Sequence, residues 1–283
     1  MKELIIGVDV GGTNIRCATV SKTKGILDYR EERVADKHSE KEINKQLFKL
    51  IDSVFSDKIK GIGIGVPAIV DLKKGTLHEA FNLPGWRKVN LKNLIEKRYK
   101  VPVLINNDAN CFALGEKYFG SAKRYQNVVG LIIGTGFGAG IIIDGRLYNG
   151  RNCAAGEFGR ILLKNKTIED YCSGKFFIKN YHLSGKELHE LAKKYDRKSL
   201  KVLEEFGANL GLGISAVVNS IDPEIIVLGG SVSTAYNFFK KPLLLSLKKN
   251  VYKQVYKNLK IKTSKNKRMG VLGAASLFLD DTK

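Results

Sequence analysis

Two stretches of the chain run apolar strand, glycine turn and apolar strand in the same order. In the first, Leu4-Ile5-Ile6-Gly7-Val8 leads into Asp9, a Gly11-Gly12-Thr13 turn follows, and a second apolar run covers 15–20; this pattern predicts a β-hairpin. In the second, Val128–Ile133 meets Gly134-Thr135-Gly136, and Ile141-Ile142-Ile143 follows. Asp144-Gly145 then predicts a further hairpin turn. Elsewhere the apolar spacing is mostly helical. Ser39-Glu40-Lys41-Glu42 reads as a capping box ahead of Ile43, Leu47, Leu50, Ile51, Val54 and Phe55, an amphipathic helix packed on a sheet. Ile59–Val66 predicts a strand whose Gly61, Gly63 and Gly65 let another backbone or a ligand come close. Pro67-Ala68-Ile69-Val70-Asp71 turns away from its end, Leu91–Tyr99 predicts a helix, 101–105 a strand and 109–118 a helix. From Ser184 the chain becomes helical, with a second capping box at 184–187 and a long helix at 200–220 carrying Leu203, Phe206, Leu210, Ile214, Val217 and Val218. A buried strand at 224–228 ends in Gly229-Gly230-Ser231, and 270–279 predicts a helix of small residues.

The two glycine turns carry the first chemistry. Adjacent residues without Cβ let backbone N–H groups converge on an anion, and Thr13 adds a hydroxyl. Asp9, closing a buried strand just before the turn, is placed to hold Mg²⁺ directly or through water. An ordinary hairpin with a solvated aspartate would explain one such turn. Repetition favours two similar halves, each offering a phosphate loop to one nucleotide. No Gly-Lys-Ser/Thr follows, and the glycines open a strand rather than a helix, so neither a Walker loop nor a dinucleotide fingerprint is present. A third candidate is Asn106-Asn107-Asp108-Ala109-Asn110, which closes one element and opens the next. Asp108 reads either as an N-cap or as a carboxylate presented to an alcohol at the C-terminal end of a strand.

The chain resembles the ROK family (repressors, open reading frames and sugar kinases), of the actin-like, hexokinase-like ATPase fold. Its signature glycine pattern runs from Ile133 through Gly136, Gly138, Gly140 and Gly150 to Gly156, Gly159 and Arg160. The segment 107–116, Asn-Asp-Ala-Asn followed by Ala-Leu-Gly-Glu, is similar to the family's catalytic segment. The resemblance implies an α/β, two-lobed, ribonuclease H-like ATPase fold and the role of catalytic base for Asp108. It implies ATP and Mg²⁺ at Asp9, Gly11, Gly12, Thr13 and Asn14 and at Gly134, Thr135 and Gly136, with adenosine beside Gly229 and Gly230. It implies sugar contacts at Ala68, Asn82, Asn107, Asp108, Glu157, Arg160 and Glu169, with Trp86 anchoring the Asn82-Leu83-Pro84-Gly85-Trp86 loop. Alone, that loop reads as a Pro-Gly turn with a buried tryptophan, and Glu169 as a surface charge, whereas Glu157 sits among small residues that read as buried.

The chain departs from the family at one place. Arg160 stands where histidine is usual, and the cysteine cluster that would complete a structural zinc site is missing, because 161–168 contains no cysteine. We expect no zinc, and apolar packing of Ile161-Leu162-Leu163 holding the loop instead. Arg160 lacks the acceptor of a neutral histidine and is expected to pair with Glu157 or Glu169, or to favour a different group at the sugar's 2-position.

Composition bounds the rest. With 283 residues, 43% hydrophobic and 27% charged, the chain suits two modest globular lobes. We place them at 1–117 plus 270–283, and at 118–269. No apolar run is long enough to span a bilayer and no signal-peptide pattern precedes the first strand, so a cytoplasmic protein is expected. Cys17, Cys111, Cys153 and Cys172 are scattered, against a disulfide framework or a cysteine metal site. The net charge of +20 raises nucleic acid as a partner. The lysines, as at Lys92/Lys97/Lys100 and Lys240/Lys241/Lys248/Lys249, are spread along helices instead, so solvated helix faces and no nucleic acid are expected, with steering of anionic phosphates as a side effect. Within these bounds the resemblance implies an ATP-dependent kinase of the 6-hydroxyl of a hexose, glucose first, forming a homodimer or homotetramer. The alternatives are an N-acetylmannosamine or N-acetylglucosamine kinase, which the Cys153-Ala154-Ala155 run resembles, a fructokinase, a polyphosphate-dependent glucokinase, or a non-catalytic sugar sensor. A DNA-binding repressor is disfavoured, since only eight residues precede Asp9.

Overall fold

The computed structural model describes residues 4–80 and 82–280. In chain order the elements begin with β1 (Leu4–Val10), β2 (Asn14–Ser21), β3 (Gly25–Arg33), α1 (Glu40–Asp52), β4 (Ile59–Val66), β5 (Ala68–Asp71) and β6 (Thr76–Ala80). There follow α2 (Leu91–Tyr99), β7 (Val103–Asn107), α3 (Asp108–Tyr118), β8 (Val128–Ile133), β9 (Phe137–Ile143), β10 (Arg146–Leu147), β11 (Leu162–Leu163) and β12 (Lys166–Thr167). The chain ends with α4 (Ile168–Cys172), α5 (Gly174–Tyr181), α6 (Gly185–Lys193), α7 (Arg197–Ile221), β13 (Ile225–Gly229), α8 (Tyr236–Asn250), α9 (Lys253–Asn258), β14 (Lys260–Thr263) and α10 (Met269–Asp280).

Two five-stranded sheets repeat one plan. The first has the order β3-β2-β1-β4-β7 and the second β10-β9-β8-β13-β14. In the first, β1 is antiparallel to β2 and parallel to β4; in the second, β8 is parallel to β13. Each glycine turn therefore joins a central strand to its antiparallel neighbour. Contacts divide the chain into two compact units, 1–124 with 140–155 and 265–283, and 125–139 with 156–264. The segment 140–155, which the sequence reading put in the second lobe, groups with the first unit. Gly140 explains this: a Cβ there would come 2.4 Å from Ala109 O and 2.8 Å from Ala113 Cβ, so the chain at Gly140 lies directly on α3.

In the first unit, alternation along β1 sorts its residues between two faces. Ile6, Val8 and Val10 join the buried cluster with Ile43, Leu47 and Ile51 of α1 and with Leu91 and Ile95 of α2. The opposite face is nearly bare, and α10 occupies it. Cβ atoms at Gly7 and Gly63 would fall 2.0 Å from Val271 O and 1.9 Å from Ala274 O. The strand glycines thus admit a helix backbone. Ser39 caps α1 by accepting Glu42 N–H at 3.3 Å, while the Glu42 carboxylate lies near Lys45.

The second unit is built on α7. Its Gly207 and Gly211 press on Phe239 O and Leu243 O of α8, and Phe176, Phe177, Phe206 and Phe239 stack at its side. Ser184 and Glu187 form the expected reciprocal capping box on α6.

Candidate active site

The first turn closes through Gly11 N–H donating to Asn14 O at 2.9 Å. Gly12 is in close contact with the loop that follows β6: a Cβ there would come 2.6 Å from Asn82 Cβ. Asn82 takes a positive φ of 67°, a conformation asparagine tolerates better than most residues. Trp86, 1% exposed, anchors this loop by donating Nε1–H to Asn44 Oδ1 at 3.0 Å.

Asp9 and Arg16 face each other across β1 and β2, and Arg16 faces Glu31 across β2 and β3. Arg16 donates to Asp9 Oδ2 at 3.0 Å and to Glu31 Oε1 at 2.9 Å. Glu31 also accepts from Asn14 Nδ2 at 3.0 Å and from the Tyr29 hydroxyl at 2.7 Å. Burial pushes the Asp9 carboxyl above its ordinary pKa, and the Arg16 guanidinium opposes that shift. The Tyr29 hydroxyl, with Arg16, holds Glu31 below the usual range. The sequence reading missed Arg16 and Glu31. A hairpin turning at 11–13 pairs residue 9 with residue 16, so Arg16 was within reach of register counting.

Asp9 is 17% exposed, beside the glycine turn, and Gly270 of α10 lies against its carboxylate. Among the described residues no group of three or more His, Cys, Asp or Glu side chains is arranged to hold a metal. One carboxylate next to a phosphate-type turn fits Mg²⁺, which keeps most of its waters and takes one or two carboxylates with phosphate oxygens.

At the start of α3 the capping position falls one residue before Asp108. Asn107 is the N-cap, accepting Ala109 N–H at 2.9 Å, and Asp108 is the first helical residue, its Oδ1 sharing that same N–H. Asn107 also donates to Ala68 O at 3.4 Å, which joins two of the expected sugar-side positions. Beneath them lies a buried amide network. Asn106 Oδ1 accepts from Asn107 N–H, Asn110 Nδ2 and the Cys153 thiol at 2.8, 2.9 and 3.2 Å. Asn149 Oδ1 accepts from Asn106 Nδ2 at 2.9 Å. Asn106, Asn110, Asn149 and Cys153 thus set the ground on which Asp108 stands, and Asn149 was not foreseen.

In the second unit Gly134 N–H donates to Gly136 O at 3.0 Å, and Gly174 N–H at the head of α5 donates to Gly134 O at 2.7 Å. The Ser173 hydroxyl lies 3.2 Å from Thr135 O. Gly230, with φ of 83°, sits against the end of β8, where a Cβ would meet Ile133 O at 2.3 Å. The Gly229-Gly230 loop and the second turn are therefore neighbours within this unit.

Glu157 is 41% exposed, more open than its small neighbours suggested. Desolvation raises its pKa, Arg160 lowers it and Glu169 raises it further. Arg160 pairs with Glu157 at 3.6 Å, and Glu169 pairs with Lys175. Lys175 was another omission. The expectation that apolar packing of Ile161-Leu162-Leu163 holds this loop is corrected: Ile161 is 42% and Leu162 79% exposed, and only Leu163 is buried. Backbone pairing does the work instead, through the β11–β12 hairpin, Ile168 N–H to Ile161 O at 2.8 Å, and a capping box from Thr167 and Asp170. An arginine salt-bridged to a carboxylate, with no thiol in the hairpin, does not fit tetrahedral zinc. The four cysteines are free and buried.

Two sheets of one plan, each turning on glycines, with a carboxylate beside the first turn and another at a strand-to-helix junction, define an α/β protein of the actin-like, hexokinase-like ATPase fold. The particular family follows from comparison. The model described as ROK family matches residues 5–281, and the chain belongs to that family. A glucokinase from Halalkalibacterium halodurans is 30% identical over 275 residues, 84% of this chain and 83% of that protein. A xylose repressor from Caldicellulosiruptor bescii is 28% identical, with 98% of this chain matched to 78% of that protein. The crystal structure of a ROK family glucokinase from Streptomyces griseus, in complex with glucose and AMPPNP, superposes with a TM-score of 0.82 at 26% identity, covering 97% of this chain and 98% of that one. Among the described residues no helix is long and apolar enough to cross a membrane.

Proposed function

We propose that this chain is an ATP-dependent sugar kinase that transfers the γ-phosphate to the 6-hydroxyl of a hexose, glucose first, and works in the cytoplasm as a homodimer or homotetramer. The observation that carries the reading is the start of α3, where Asn107 supplies the helix cap and Asp108 stands at the end of β7. Asp108 accepts the proton of the attacking hydroxyl. Phosphoryl transfer leaves the protein mainly positioning and charge stabilisation. Gly11, Gly12, Thr13 and Asn14, with Gly134, Thr135 and Gly136, take the phosphates, and Gly229 and Gly230 flank adenosine. Asp9 holds Mg²⁺, which when bound neutralises phosphate charge, and Arg16 keeps the Asp9 carboxylate in place. Ala68, Asn82, Asn107, Glu157, Arg160 and Glu169 fix the sugar. Similarity to glucokinases supports the choice of acceptor.

The test is ADP release with Mg-ATP against glucose, mannose, fructose, N-acetylmannosamine and N-acetylglucosamine, with polyphosphate as an alternative donor. Turnover led by glucose is expected. Asp108→Asn should remove it while sugar binding by calorimetry stays near the wild-type value, and a substantial residual rate would refute the base assignment. Similarity to xylose repressors favours one second reading, a sugar sensor without turnover. Sugar binding with silence from both donors would select it.

A further inference from the structure

Within the second unit, both oxygens of the Glu169 carboxylate are engaged by other elements. Oε2 accepts Phe137 N–H, the amide that follows Gly136, at 3.0 Å, and Oε1 accepts from Lys175 Nζ at the head of α5. Gly136 leaves room for this approach, since a Cβ there would lie 2.8 Å from Oε2. The same junction grips the other side of the turn: Gly174 N–H binds Gly134 O, and the Ser173 hydroxyl lies between Glu169 O at 2.7 Å and Thr135 O at 3.2 Å. The second turn is thus held through its carbonyls by α5 and through an amide by Glu169.

A carboxylate offers about four lone-pair directions, so two donors leave Glu169 able to accept a sugar hydroxyl. What those donors remove is rotation. Phe137 N–H is fixed by the backbone, whereas Lys175 supplies charge. The other charged groups around Glu169 are directed elsewhere. Glu157 repels it and is paired with Arg160, Asp170 is turned to Thr167 and Lys179, and Lys164 reaches Asn209 and the Tyr171 ring.

We infer that Lys175 is a positioning residue that holds the Glu169 carboxylate on the second glycine turn, so that one side chain serves both the sugar and the phosphate loop. The inference rests on the sugar-kinase reading of Glu169.

Lys175→Met and Lys175→Arg test it, in the full-length protein with Mg-ATP and the sugar that the wild type turns over best. Lys175→Met should raise the acceptor KM about tenfold, the scale of one charged hydrogen bond partly screened by water. Because the turn loosens too, the KM for Mg-ATP should rise several-fold. The acceptor kcat should change far less than KM, since the chemistry at the hydroxyl is untouched. Lys175→Arg should restore both KM values, and the melting temperature should change little. A wild-type acceptor KM in Lys175→Met, or an arginine variant no better than the methionine one, would overturn the inference. If the wild type binds sugar without turnover, the kinase reading falls and the Kd ratio of the same variants decides the inference. Absence of any sugar binding overturns both.

Discussion

Gly270→Ala separates stability from activity at the first turn. Gly270 lies in the opening turn of α10, and a Cβ placed there would sit 2.6 Å from Asp9 Oδ2, 2.7 Å from Cγ and 3.1 Å from Oδ1. An ordinary contact begins near 3.4 Å, so the carboxylate must retreat by roughly 0.8 Å or rotate off Arg16. The helix itself gains, because alanine exceeds glycine in helix propensity by about 1 kcal/mol. Displacing a charged group by about 1 Å can cost on the order of a hundredfold in rate, and here the displaced group is the one assigned to Mg²⁺. We therefore expect kcat/KM for Mg-ATP to fall about 10- to 100-fold, with the melting temperature unchanged or slightly raised. Initial rates at saturating sugar with varied Mg-ATP, beside a circular dichroism melt, make the measurement. A folded Gly270→Ala protein with the wild-type kcat/KM for Mg-ATP would refute the argument that this glycine exists to admit Asp9.

The remaining predictions concern packing. Asn110→Ala should cost only about 1 kcal/mol, since Asn106 Oδ1 and Asn149 Oδ1 keep other donors and the buried Asn110 Oδ1 has no partner to lose. Asn110→Asp should cost about 3 kcal/mol or more by burying a charge against those oxygens, and equal melting temperatures for the two variants would contradict the network. Gly230→Ala combines a positive φ with a contact 2.3 Å from Ile133 O and should destabilise by about 2–3 kcal/mol or more, read from denaturant unfolding. The thiols of Cys17, Cys111, Cys153 and Cys172 should resist a disulfide reagent at pH 8 until the chain is unfolded, because all four are buried and burial raises the thiol pKa of Cys17, to about 12, and of Cys111 and Cys172. Fast modification of any of them in the native protein would argue against this core.

What the sequence made legible was periodic or local. The hairpin of β1 and β2, the glycine turn before β9, the caps at Ser39 and Ser184 and the run of apolar residues in α7 all follow from short-range pattern, and each recurs in the structure. The misreadings involve partners that sequence distance hides. Ile161 and Leu162 read as core because they are apolar, yet Leu162 pairs with Thr167 in the β11–β12 hairpin and Ile161 O accepts Ile168 N–H, with both side chains left outside. Lys175 is six residues from Glu169, and only the fold of α4 onto α5 shows that they meet.

A common rule connects these cases with the chemistry. Asp9 and Glu169, the carboxylates proposed for Mg²⁺ and the sugar, have room made for them by glycines and are held by ordinary charges beside them. Asp9 is admitted by Gly270 and held by Arg16, which Glu31 holds in turn; Glu169 is admitted by Gly136 and held by Lys175. Each arrangement needs a missing Cβ and a counter-charge from a neighbouring strand or helix. A glycine therefore reports a nearby carboxylate only once the fold supplies the second element, which is why the turns at Gly11 and Gly134 stood out in the sequence while Gly270 looked like filler in a small-residue helix.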